Sequence, residues 1–174
     1  KPSTYLLSSI VKIQTKKINI NELALETVWT NTDLNKKQFR KLNNFFWILS
    51  LDLKSSSSSV QKIIENWIDI NQKYISESWE FDTTSKRIIS WLSNSKLTYD
   101  NGSDEYKNNF NNIIQKQTLH LFYQINHLKK YEEKLVGITA ILLFSLSYSE
   151  QQKLLSVSLE YLKKILKNSL DKFG

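Results

Sequence analysis

Trp67, Trp79, Arg87 and Trp91 are the first residues whose types and spacing suggest chemistry. Arg87 is one of only two arginines, beside Arg40, in a chain that otherwise carries its positive charge as lysine. Indole faces stack on sugar rings, and a planar guanidinium pairs bidentately with a carboxylate or sulfate. Trp79, Arg87 and Trp91 are therefore candidate binding residues for an anionic sugar. A second role fits the same residues: Trp67 and Trp91 fill a core while Arg87 ties a helix end to a neighbouring turn.

The remaining reactive groups exclude more than they suggest. His120 and His127 are seven residues apart. On a helix that is two turns, about 10 Å, too far to share one metal ion. No carboxylate sits between them at helical spacing, so a H-E-x-x-H site is excluded. Glu132 and Glu133 are adjacent and project in different directions; they suit the first turn of a helix, where the dipole favours acidic groups. No serine lies in G-x-S-x-G, and no Ser/His/Asp set is identifiable. The absence of Cys removes thiolate metal sites and redox chemistry, and three Gly leave no glycine-rich phosphate loop. Neither a metal nor another cofactor is expected.

These side chains must be positioned by helices. Val60, Ile63, Ile64, Trp67, Ile68 and Tyr74 form an apolar stripe at helical spacing, with Ser59 as its expected cap. After a break at 76–80, Asp82 or Thr83 caps a short helix with Ile88, Trp91 and Leu92 on one face. Asn101-Gly102 marks a turn. Tyr106, Phe110, Ile113, Ile114, Gln117, Leu121 and Ile125 mark a long amphipathic helix over 104–128. Residues 135–148 are apolar almost all round, which predicts a central buried helix too short to cross a bilayer. Ser149 and Gln152 fit a capping box for a last helix carrying Leu154, Leu155, Leu159, Leu162, Ile165, Leu166 and Leu170, which Gly174 ends. Five helices joined by short turns stack as antiparallel hairpins.

Residues 1–58 read as a lead-in. Stretches 5–13 and 16–20 alternate like short strands, residues 33–51 are irregular or helical, and the serine run 55–59 is a loop running into a cap. The expectation is an all-α fold over 59–174 behind a short irregular or β-containing segment. A length of 174 residues suits one domain. The chain starts Lys1-Pro2 and has no Met, so it reads as a fragment of a longer protein. Its 24 Lys+Arg outnumber 17 Asp+Glu for a net charge of +7, but the lysines are spread rather than clustered, which argues against a nucleic-acid partner. The charge permits an anionic ligand.

Three segments resemble the amino-terminal region of heparinase II/III-like proteins. They are Phe46-Trp47-Ile48-Leu49-Ser50-Leu51, then Ile64-Glu65-Asn66-Trp67-Ile68, then the run from Trp79 to Ser93, which is similar to a W-x-x-D-x-x-x-x-R-hydrophobic-x-x-W-hydrophobic-S signature. Ser169 to Gly174 looks like the lead-in to a turn that follows in that family. The resemblance covers about residues 40–174. It implies an incomplete (α/α) toroid of helical hairpins, followed by a β-sandwich domain as intramolecular partner, in a bacterial and often periplasmic protein. It further implies a polysaccharide lyase that cleaves uronic-acid polymers such as glycosaminoglycans by β-elimination, abstracting the proton α to a neutralised carboxylate. Family lyases carry Gly-Asn-His at the start of the buried helix. Here Glu132-Glu133 occupy that place, and the Asn-His pair, Asn126-His127, falls about six residues earlier. Trp79, Arg87, Trp91, Asn126 and His127 are thus the implied substrate-binding residues in a groove for an anionic polysaccharide. No catalytic residue is assigned within the chain, which alone is expected to be inactive. The alternative is a non-catalytic glycan-binding or scaffold module of a branch lacking the Asn-His motif.

Overall fold

The computed structural model describes residues 10–13, 16–19, 29, 34–50 and 57–173. Residues 5–9, 20, 33, 51, 55, 56 and 174, on which parts of the sequence reading fall, lie outside the described residues.

Strands β1 (Ile10–Ile13) and β2 (Lys16–Asn19) pair antiparallel, Ile10 opposite Asn19 and Ile13 opposite Lys16. The elements described after them are helical: α1 (Lys36–Asn43), α2 (Ser57–Asn71), α3 (Phe81–Ser93), the single turn α4 (Ser95–Thr98), α5 (Asp104–Gln124), α6 (Tyr131–Ser147) and α7 (Gln152–Phe173), with 3-10 turns at Phe46–Ser50, Ile125–His127 and Ser149–Gln151. The all-α expectation holds for the body of the chain.

The caps differ from the sequence reading where a neighbour offered a better bond. Asn35 and Gln38 form a reciprocal capping box on α1. Glu80, rather than Asp82 or Thr83, caps α3, its carboxylate accepting from both Thr83 N and Thr83 Oγ1. Helix α2 starts at Ser57, two residues before the expected cap Ser59. Ser149 makes no capping bond; residues 149–151 tighten into a 3-10 turn that takes the corner between α6 and α7.

The central helix is α3, not the apolar stretch 135–148. Helix α3 packs against α1, α4, α5 and α6 and buries Phe81, Thr83, Thr84, Ser85, Arg87, Ile88, Ser90 and Trp91. Small hydroxyl side chains let neighbouring helices approach closely, and their O–H groups return to carbonyls: Ser85 to Phe81 at 2.8 Å and Ser90 to Phe45 at 2.6 Å. Helix α6 buries Gly137, Ile138, Ala140, Ile141, Phe144 and Ser145 against α3 and α7, but its opposite face is open, with Leu146 69% exposed. Its all-round apolar composition therefore overstated its enclosure.

Two clusters make the core. One gathers Leu42, Phe45, Ile48, Trp67, Trp91 and Phe110; the other gathers Phe81, Ile88, Leu121, Ile138, Ile141 and Ile165. Residues 34–50 thus share the first core with α2 and α3. Phe45 is the pivot of that core. Its ring centroid lies 5.1 Å from Trp91, 5.3 Å from Trp29, 5.4 Å from Trp47 and 5.9 Å from Trp67. Its backbone takes a left-handed φ of 55°, a conformation that costs a non-glycine residue about 1–3 kcal/mol and persists only where packing enforces it.

Gly137 is where α6 meets α3: a Cβ there would collide with the Phe81 ring. Gly137→Val should cost about 1–3 kcal/mol by overpacking. Denaturant unfolding should show that loss, and adding Phe81→Leu to Gly137→Val should recover part of it; a Gly137→Val chain as stable as the parent would contradict the close approach.

Candidate functional site

Arg87 lies at the centre of the molecule rather than in a groove. Its side chain is 0% exposed. Nη1 donates to Asn43 O at 2.7 Å and Ser78 O at 3.0 Å, Nη2 to Thr84 Oγ1 at 3.2 Å, and Nε to Gln117 Oε1 at 3.1 Å. The guanidinium carbon stands 4.0 Å from the centroid of the Trp67 ring. Burial pushes the Arg87 pKa well below its ordinary value. No carboxylate pairs with it among the described residues; carbonyl dipoles, two neutral side chains and the indole face compensate the charge. Four of five donor positions are committed, so Arg87 is not free to bind a uronate or sulfate.

The tryptophans follow it inward. Trp67 donates Nε1–H to Asn43 Oδ1 at 2.7 Å, and Trp79 donates to Asn71 O at 3.1 Å. Trp79 is 5% exposed and packs against His120 and Tyr74. The expected groove of Trp79, Arg87 and Trp91 is therefore replaced by a core strut, which is the second role the sequence allowed. Asn126 and His127 are exposed in the 3-10 turn after α5 and are not brought together with the other three. His120 is partly buried, and burial, against the opposing effect of a hydrogen bond to the Trp79 backbone carbonyl, lowers its pKa.

The structure opens a different site where the C-terminal ends of α3 and α6 meet α4 and α5. A cavity of about 560 Å3 is lined by Trp91, Tyr99, Phe110, Asn111, Ser147 and Tyr148, among others. A second, of about 350 Å3, shares Asn111, Ser147 and Tyr148 and continues past Gln115 to Ser149, Glu150 and Gln151. Together they form one cleft within the range typical of small-molecule sites. Its apolar wall is built from packed rings: Trp91 stacked on Phe110 at 5.3 Å, with Tyr99 tilted against Phe110 at 5.3 Å and Phe144 tilted against Tyr148 at 4.7 Å. Trp91 Nε1 has no acceptor among the described residues.

Asn111 sits between the two phenols. Tyr148 Oη donates to Asn111 Oδ1 at 2.7 Å, and Asn111 Nδ2 donates to Tyr99 Oη at 3.1 Å. The short bond is the length of an O–H···O contact and the longer one suits N–H···O, in keeping with this orientation of the amide. Each element places one member for a local reason. Tyr99 ends α4, held by its N–H to Ser95 O. Asn111 rides on α5 beside Phe110, whose burial turns Asn111 partly outward. Tyr148 leaves α6 in extended backbone. Burial pushes the Tyr148 phenol up to about 12. The bonded pairs are 12 and 37 residues apart, so no local spacing in the sequence announced them.

Comparison with family models, with curated proteins and with solved structures gives no match. No group of His, Cys, Asp or Glu among the described residues could hold a metal ion, and no described helix is long and apolar enough to cross a membrane.

Two outcomes test this geometry. Arg87→Met leaves the Asn43 and Ser78 carbonyls without a donor and should cost about 3–5 kcal/mol in urea unfolding, since each orphaned acceptor costs about 1–3 kcal/mol; a loss too small to measure would restore Arg87 to the surface. Tyr148 keeps its proton to about 12 in the folded chain while an unfolded tyrosine releases it near 10. The stability it contributes is full below about 10 and is lost as pH rises to about 12. Tyr148→Phe should flatten that part of the stability profile, and an unchanged slope would show that Tyr148 is not shielded.

Proposed function

We propose that this chain is a glycan-binding helical domain, one wall of the incomplete (α/α) toroid of a heparinase II/III-like protein, and that the Tyr99–Asn111–Tyr148 cleft is its sugar site. The observation that carries the reading is the cleft itself: the half-buried rings of Tyr99 and Tyr148, backed by the buried Trp91, Phe110 and Phe144, with hydroxyl and amide groups at the rim suited to the hydroxyls of a pyranose. The resemblance of residues 40–174 and the succession of helical hairpins support the same reading. The exposed leucines of α6 and α7, Leu146, Leu159 and Leu166, suit a toroid in which a further hairpin lies alongside. In that reading a β-sandwich domain accompanies the helical one.

Between the two roles the resemblance implies, the cleft favours binding over lyase chemistry. β-Elimination needs a cation to neutralise the substrate carboxylate and a base for the α-proton. The cleft is lined by no Lys, Arg or His, and Glu150 is its single charged residue. Tyr148, held high by burial, keeps its proton at neutral pH. A lyase would have to bring both groups from elsewhere in the protein.

Calorimetric titration of the chain with a panel of oligosaccharides, alongside ultraviolet detection of unsaturated uronate products, tests the reading. Binding without new unsaturation is the expected result. Failure of every sugar to bind would overturn the glycan reading, and cleavage by this chain would reinstate the lyase.

A further inference from the structure

The direction of the hydrogen bonds across the cleft says what kind of sugar it takes. Tyr148 spends its only proton on Asn111 Oδ1, so toward the cleft its oxygen is an acceptor. Tyr99 receives a proton from Asn111 Nδ2, so its own O–H remains to donate. The second Nδ2–H of Asn111, between them, is another donor. The rim therefore presents acceptor, donor and donor in order, each polarised by the next bond in the chain. A ligand that satisfies it must both give and take hydrogen bonds over a short span, which adjacent sugar hydroxyls do and a carboxylate or sulfate, acceptor only, does not.

Charge points the same way. The chain's surplus of positive charge touches the site at one edge only: Lys107 Nζ stands 5.5 Å from the Tyr99 ring centroid, but neither cavity has a cation among its lining residues, and Glu150 lines the outer one. An anionic ring placed there would give up its hydration for neutral groups and meet the Glu150 carboxylate, with no cation among the lining residues to pair with it.

We infer that the cleft of Tyr99, Asn111 and Tyr148 binds a neutral, hydroxyl-rich pyranose unit rather than a uronate or sulfated sugar. The inference rests on the glycan reading above and reverses the anionic preference that the family resemblance implies. Asn111 is the positioning residue, because it sets which phenol donates and which accepts.

The test uses the full chain with four probes: cellohexaose, mannohexaose, a hexamer of alginate uronates, and a heparin-derived hexasaccharide. Binding is followed by calorimetry at low and high salt. At least one neutral hexasaccharide should bind, with an affinity that barely changes with salt, because no ion pair forms to be screened. Tyr99→Phe removes the free donor and should weaken that binding about tenfold, the equivalent of about 1.4 kcal/mol. Asn111→Asp keeps the side chain's shape but turns it into an acceptor, so Tyr99 must donate inward. It should weaken the neutral sugar as much as Tyr99→Phe does, and combining the two should add little. Thermal melts establish that each variant is folded; if Asn111→Asp does not fold, Tyr99→Phe alone decides. Salt-sensitive binding of the acidic hexamers alone would overturn the neutral preference and leave the glycan reading standing. Neutral binding untouched by Tyr99→Phe would move the site elsewhere and overturn the inference. Binding of none of the four would overturn both.

Discussion

A charged group at the centre of an apolar core is the constraint that orders this molecule. Arg87 is fully buried with no carboxylate paired to it among the described residues, and such a charge is tolerable only if its donors are met and its face is covered. Meeting them fixes three separate pieces of chain: the end of α1 through Asn43 O, the turn before α3 through Ser78 O, and α5 through Gln117 Oε1. Covering the face fixes a fourth, Trp67 on α2. Asn43 is used twice, since its side chain also accepts from Trp67 Nε1, and it anchors itself to Phe39 O. Phe45, two residues on, is then driven into left-handed backbone to place its ring among four tryptophans, and its carbonyl takes the Ser90 hydroxyl. Arg87 and Ser90, one turn apart on α3, thus hold the segment carrying α1 against the central helix.

The consequence for function is one of geography. A helix used as the hub of the core has few side chains left for a ligand, and α3 spends Trp91 on stacking with Phe110 rather than with a sugar. The places left open are at the rim, where helices end. The cleft forms there, from the last turn of α3, the short α4, the middle of α5 and the exit of α6. Its polar groups come from Asn111 and from two tyrosines whose rings pack on the edge of the core, and they bond one another: Tyr148 to Asn111 to Tyr99. Arg40, the other arginine, plays a lesser part outside the core, 3.6 Å from the carboxylate of Glu80 that caps α3. That contact is partly exposed and weak compared with the buried Arg87 network.

Much of the scaffold was legible in the sequence and little of the site was. The helical stripes of α2, α3, α5, α6 and α7 are local patterns, and local patterns survive folding; β1 and β2 likewise fall within the two expected strands. What failed were judgements that need a partner. Residues 135–148 read as the most enclosed helix because composition records apolarity and not which neighbour covers each face; the open side of Leu146 is a fact of packing. Helix α3 read as amphipathic because Thr84, Ser85 and Ser90 count as polar, although each turns its hydroxyl to a hydrogen-bond partner and is buried. Trp79, Arg87 and Trp91 were conspicuous as residue types, and sequence alone allowed both of their roles; the burial of Arg87 decides for the structural one. Tyr99, Asn111 and Tyr148 were invisible because their juxtaposition depends on how α4, α5 and α6 pack, which a turn signal such as Asn101-Gly102 does not specify.

The central claim is that ligand chemistry belongs to the rim cleft and architecture to Arg87. Nitrogen-15 NMR of the chain during titration with a neutral oligosaccharide reads both at once. The account predicts that the side-chain amide of Asn111 and the backbone amides of Tyr148 and Ser149 shift on binding, while the Arg87 Nε–H signal stays in place and exchanges slowly with solvent. Shifts at Arg87, or at Asn126 and His127 with Asn111 silent, would contradict it.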